Sequence, residues 1–170
     1  MSTNDQIFLE FSTNKLEQLA SRIEDCLGRL SDEQVWTRHS ENENSAGNLV
    51  LHLCGNLRQW IGTGVAGMPN VRDRDAEFAA RGGLSREQLR ARLSDTVREA
   101  GKAIRATPAE RLSETINVQG YEVTVLEAIY HVVEHFAQHT GQIIFLTKLL
   151  TGRDLGYYGH LSQQHTETTP

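Results

Sequence analysis

Residues 128–145 read AIYHVVEHFAQHTGQIIF. Apolar side chains recur near helical spacing at Ile129, Val132, Val133, Phe136 and Ile143, and the period continues through Leu146 and Leu150. Alongside that stripe stand His131, His135 and His139, four residues apart. This spacing is one helical turn plus a little, so the three rings leave nearly the same face. Neighbouring rings can share one metal ion. The outer pair cannot easily do so, because the helix between them separates their Cα atoms by about 12 Å. The stretch therefore offers one two-histidine clamp, 131/135 or 135/139, with the third ring left for another task. A polar seam beside an apolar face is expensive to bury unless its groups are satisfied, and a metal ion would satisfy it.

Working outward, this is the last of four long helical patterns. Thr124 with Glu127 forms a capping box at its start, and Gly152 ends it. Just upstream, SETINVQGYEVTV places β-branched residues on either side of Gln119-Gly120, which predicts a small hairpin or an extended connection. The third pattern begins at Ser85 with Gln88, runs through Leu89, Leu93, Val97 and Ile104, and stops before Pro108. The second starts near Ser45, carries Leu49, Leu53, Leu57 and Trp60 together with His52 and Asn56, and is predicted to dissolve in the glycines from Gly62 to Gly67. The first covers about residues 4–29, with Ile7, Phe8, Phe11, Leu16, Leu19, Ile23 and Leu27 near helical spacing. Ser31 with Gln34 adds a capped turn in the connection that follows, and VRDRDAEFAARGG (71–83) reads as a loop without a period. Four helices of this length predict an all-α bundle, and the long connections permit crossovers in place of simple up-and-down winding.

Composition narrows the function. The chain of 170 residues is most simply one domain, read as 1–155 with a partly disordered tail over 156–170. A net charge of −5 argues against a nucleic-acid partner, which would need a basic stripe. The one basic cluster, Arg72, Arg74, Arg81, Arg86, Arg90 and Arg92, is interleaved with Asp73, Asp75, Glu77 and Glu87 and reads as a solvated, ion-paired surface. No apolar run approaches the roughly 20 residues that cross a bilayer, and the N-terminus shows no secretory signal. Cys26 and Cys54 make neither a framework nor a CxxC motif, so a reduced, cytoplasmic location is expected.

Two ligands from one helix are too few for a tight site, and bundle-core metal sites draw on facing helices. His52, flanked by leucines in NLVLHLCGNLRQW, is the candidate third ligand, although a lone buried histidine is also often a hydrogen-bonded core residue. Three neutral imidazoles with open positions suit Zn²⁺, Ni²⁺ or Fe²⁺. Cys54 follows His52 by two residues and so points away from it on a helix, which argues against a Cys–His nucleophile. Glu134 is not placed like the base of an HExxH motif and is expected to face solvent or support a ligand. His39, His160 and His165 lie in loop or tail sequence and read as exposed. The histidine stripe could equally serve a helix–helix contact.

HVVEHFAQHTGQI resembles the fourth-helix signature of the DinB-like (YfiT-like) superfamily of metalloenzymes, in which a histidine pair spaced by four precedes a Gly-Gln step, here His135, His139, Gly141 and Gln142. NLVLHLCGNLRQW is similar to that superfamily's second-helix motif, where a central histidine, here His52, supplies the third ligand. The resemblance implies a four-helix bundle of up-down-down-up topology, a homodimer, and a divalent ion, Zn or Ni most commonly, on His52, His135 and His139. It also implies a small-molecule substrate. Relatives include thiol-dependent S-transferases and a maleylpyruvate isomerase, in which a metal-bound low-molecular-weight thiol or water ionises near neutral pH. His131 is not part of the triad that the resemblance implies. It is the candidate catalytic residue, expected to carry a proton (a bound water being the alternative carrier), to support a ligand or to bind substrate, and Asn56 or Gln142 is expected to orient bound groups. A metal-dependent hydrolase and a non-catalytic dimer with a structural or sensory metal are the alternatives.

Overall fold

The computed structural model describes residues 3–159, so His160, His165 and the rest of the tail lie outside the described residues. Its helices are α1 (Asn4–Arg29), α2 (Asp32–Val35), α3 (Ala46–Leu57), α4 (Arg74–Ala79), α5 (Arg86–Arg105) and α6 (Val125–Thr151). A two-stranded hairpin, β1 (Thr115–Val118) and β2 (Tyr121–Thr124), precedes α6. The fold is mostly helical, and of the two expectations for the stretch before the last helix, a hairpin or an extended connection, the hairpin is the one that forms.

One local device starts five of the helices. Thr3, Ser31, Ser45, Ser85 and Thr124 each accept a hydrogen bond from the backbone three residues on, while Gln6, Gln34, Asn48, Gln88 and Glu127 reach back to the cap. These reciprocal bonds satisfy donors that a helix start otherwise leaves bare. The hairpin closes through Gln119 (φ 57°) and Gly120 (φ 82°), two successive left-handed residues that match the twist of a tight two-residue turn.

Two regions differ from the sequence reading. The second helix does not dissolve at its glycines but widens into a π-helix over Arg58–Val65, and the chain reverses at Gly67 (φ 70°). Gly64 lies inside this wide turn, where a β-carbon would stand 3.3 Å from the Val118 side chain, so the hairpin packs directly on the helix backbone there. The stretch 71–83 contains α4, capped by Asp73 and too short for a period to be visible in sequence.

The long helices enclose one apolar core. Leu16, Ile23 and Leu27 of α1 meet Leu53 and Leu57 of α3, Leu89, Leu93 and Ile104 of α5, and Ile129 and Phe136 of α6, all essentially without solvent exposure. Ties between helices set their directions. Arg86 at the start of α5 donates to Leu30 O at the end of α1 (2.9 Å), and Arg105 at the end of α5 reaches Glu17 (2.8 Å), so these helices are antiparallel. Near the ends of α1 and α6, Gln34 donates to Leu150 O (3.1 Å), and the Tyr157 hydroxyl lies 2.9 Å from Asp25.

The start of α3 is held through Trp36, whose indole N–H donates to Leu84 O (2.8 Å) while its ring covers Gly47. A β-carbon at Gly47 would lie 2.8 Å from that ring. We expect Gly47→Ala to cost about 1–3 kcal/mol by overpacking. A lowered urea midpoint with unchanged slope checks this, and an unchanged midpoint contradicts it.

Candidate metal centre

Helices α3 and α6 cross the core in opposite directions, which sets His52 opposite His135 and Trp60 opposite His131. The Nε2 atom of His135 lies 3.1 Å from His52 Nε2 and 3.1 Å from His139 Nε2. Among the described residues these three form a group that could hold a metal ion, with candidate ligand atoms all within 4.8 Å of one another. Two nitrogens bound to one Zn²⁺ at about 2.0–2.1 Å and a tetrahedral angle stand about 3.3 Å apart, close to the spacing found. Of the two clamps open to the sequence, the geometry brings 135/139 together with His52. The His131 ring falls outside the group. It lies against Trp60 with centroids 4.0 Å apart, and its centroid is 5.6 Å from that of His135.

Hydrogen bonds test whether the group suits a cation. A ligand imidazole must present a lone pair and give its other N–H to an acceptor. His139 Nδ1 donates to Gln142 Oε1 at 2.6 Å, and His52 Nδ1 donates to Glu77 Oε2 at 3.2 Å. Both rings therefore point bare Nε2 lone pairs at the centre, where one proton on His135 Nε2 could satisfy only one of them. A cation between the three satisfies all, so the donor set fits a metal. The Nδ1 atom of His135 is buried with no hydrogen-bond partner among the described residues.

Electrostatics agree with ligand behaviour. Burial, followed by the neighbouring His139 and His52, depresses the His135 pKa to about 3. Burial also lowers that of His139 against an opposing bond from Gln142, and lowers that of His131. Neutral imidazole is the form that binds metal.

The remaining sequence candidates fall as follows. Gln142 is exposed and acts by orienting His139. Asn56 is buried one turn beyond His52. Glu134 and His39 are exposed, and His39 pairs with Glu43 at 3.4 Å. Cys54 turns its thiol toward Arg92 O (3.8 Å), and burial pushes that thiol up to about 11, so it is no nucleophile.

One expectation is overturned. Arg72 and Glu77 do not belong to a solvated ionic surface, since their side chains are 3% and 9% exposed. Arg72 grips both carboxylate oxygens at 2.8 Å, and the same carboxylate accepts from His52. Burial alone would raise the Glu77 carboxyl, but bonds from Arg72 and His52 outweigh it and hold the pKa below the ordinary value. The only sequence signal was Glu77 in the segment joining the second and third helices, and nothing local separates it from the exposed charges around it.

Residues 3–160 match a family described as protein of unknown function, DUF1572. The chain belongs to that family. No curated protein matches this DUF1572 chain. Among solved structures it is similar to a conserved protein from Enterococcus faecalis, with 16% identity, a TM-score of 0.74, and coverage of 85% of this chain and 97% of that one. A DinB-like protein, YjoA, from Bacillus subtilis matches at 14% identity and a TM-score of 0.65, over 85% and 93% of the two chains. A mutant of the mycothiol-dependent maleylpyruvate isomerase matches at 19% identity and a TM-score of 0.61, over 84% and 67%. The DUF1572 chain shares the fold of these DinB-like proteins. At these identities the likeness establishes fold.

The depressed His135 pKa has a consequence for the metal-free protein. The unfolded chain, near the ordinary 6.5, binds a proton that the folded chain refuses until about pH 3. Stability is therefore complete above about pH 6.5 and declines as pH falls through that window. We expect the urea midpoint of chelator-treated protein to fall between pH 7 and pH 4.5, and His135→Gln to flatten that slope. Equal slopes in both proteins would contradict the assignment.

Proposed function

We propose that this DUF1572 protein is a metal-dependent enzyme that joins a low-molecular-weight thiol to a small electrophile. The observation that carries the reading is the convergence of three Nε2 atoms, two of them fixed as lone-pair donors by bonds to Glu77 and Gln142. His52, His135 and His139 would hold the ion, for which Zn²⁺ or Ni²⁺ are the leading candidates and Fe²⁺ is compatible with the donors. When bound, a divalent ion supplies the charge that lowers the pKa of a thiol or water beside it. The mycothiol-dependent neighbour supports a thiol over other nucleophiles, by analogy of fold.

In this reading the chain's own residues divide the work. His131, outside the metal group and one turn from His135, takes the thiol's proton. Trp60, whose indole N–H donates to Gln119 (3.2 Å), packs against that ring and keeps it in place. Asn56, buried one turn beyond His52, orients the bound molecule. Gln142 keeps His139 in its ligand tautomer.

The bundle is assigned up-down-down-up order, a reading supported by the antiparallel α1/α5 and α3/α6 pairs. A homodimer is part of the same proposal. It is supported by Ile7, Phe11, Tyr130, Phe145 and Leu149, which leave large apolar side chains exposed on α1 and α6. A structural metal would ask for a fourth protein ligand, whereas the group among the described residues has three members, which favours an open site. A hydrolase using water at the same site is the second reading, favoured by that open position.

Metal analysis of untagged protein, beside His52→Ala and His139→Ala, tests the site. We expect about one ion per chain in the wild type and a loss in both variants. No ion after incubation with Zn²⁺ or Ni²⁺ would remove the enzyme reading. Loaded protein is expected to accelerate conjugation of mycothiol, bacillithiol or glutathione to an electrophile, and His131→Ala to lower kcat by about 10²-fold or more. Failure with all three thiols would leave the hydrolase reading.

A further inference from the structure

Asn48, His52 and Gly55 of α3 and Gln59 at the start of the π-helix that continues it follow one another at intervals of 4, 3 and 4, so they line one face. The segment between α3 and α5 is fastened to that face at every position. Asn48 Nδ2 donates to Glu77 O (2.9 Å) and Ala80 O (2.9 Å). His52 Nδ1 meets the Glu77 carboxylate, and Arg72 NH1 donates to Gln59 Oε1 (2.9 Å). Gly55 makes the fit possible. A β-carbon there would collide with the Glu77 carboxylate and lie 2.9 Å from Arg72 Nε.

This arrangement is a poor way to add stability. Removing an arginine and a glutamate from water costs several kcal/mol per ion, and an apolar pair of similar volume often does as well. What an apolar pair cannot do is decide which nitrogen of His52 carries the proton. Arg72 NH2 stands 3.0 Å from His52 Nδ1 and 2.8 Å from Glu77 Oε2, and a guanidinium can only donate. That 3.0 Å approach would be a hydrogen bond only to an unprotonated Nδ1, whereas a metal on Nε2 requires the proton on Nδ1, and the Glu77 carboxylate 3.2 Å away is then its acceptor. The bidentate grip of Arg72 also stops the carboxylate from rotating away.

From this geometry, and resting on the metal reading above, we infer that Arg72 and Glu77 are positioning residues for His52, and that they link metal occupancy to the ordering of residues 72–80. An ion that binds only when His52 is held correctly stabilises whatever holds it, by the same free energy. The short α4, packed by Phe78 against the His52 ring at 4.7 Å, is therefore tightened when the ion binds.

The experiment measures Zn²⁺ affinity by competition with a chromophoric chelator, and hydrogen exchange of residues 72–80 with and without Zn²⁺. It compares wild type, Glu77→Gln, Arg72→Lys, Gly55→Ala and His135→Ala. The expected result is a loss of affinity of about 10–100-fold in the first three variants. Slower exchange of that segment on Zn²⁺ binding is expected in wild type and absent in Glu77→Gln. A purely structural role would lower the urea midpoint of the metal-free variants and leave affinity within about twofold of wild type, and that result overturns the inference. If Glu77→Gln does not fold, Arg72→Lys, which keeps the charge and loses the fork, decides by the same readings. Wild type that binds no Zn²⁺ defeats the metal reading itself. Wild type that binds, with His135→Ala that does not and Glu77→Gln that matches wild type, defeats this inference alone.

Discussion

A buried imidazole has two nitrogens to satisfy, and each choice at one dictates the role of the other. At His52 those nitrogens face opposite sides of the protein. Nδ1 is turned to the segment between α3 and α5, and Nε2 is turned to α6. The α3/α6 pairing, the glycine that admits Glu77, and the grip of Arg72 on that carboxylate all constrain this one ring. If its tautomer reversed, the two faces would conflict: a carboxylate would meet a lone pair, and the central nitrogens would lose their common acceptor character.

Much of the fold could be read locally. Ser or Thr caps followed three residues later by Gln or Glu marked helix starts, because the bonds involved lie within one turn. The hairpin was visible for the same reason, its turn chemistry lying in Gln119 and Gly120. The π-helix at Arg58–Val65 was not legible. Its glycines read as a break, and only the packing of Val118 on Gly64 shows why the helix continues.

The candidate site divides along the same line. His135 and His139 share one helix, so their spacing alone brought them together, and the clamp was visible before any tertiary structure. His52 stood out as a polar residue among leucines. Choosing 135/139 over 131/135 needed the partner helix, since His131 is taken up by Trp60. Arg72 and Glu77 were hidden completely. Charged residues in an aperiodic stretch are normally solvated, and what buries this pair is the missing side chain at Gly55. A cavity left by a distant glycine has no local signature.

The account stands on three imidazole nitrogens meeting at one ion. X-ray absorption fine structure of Zn²⁺-loaded protein tests this most directly. It predicts a shell containing three imidazole nitrogens at about 2.0–2.1 Å, with the outer scattering of histidine rings. A shell dominated by carboxylate oxygen, or one lacking imidazole scattering, would contradict it.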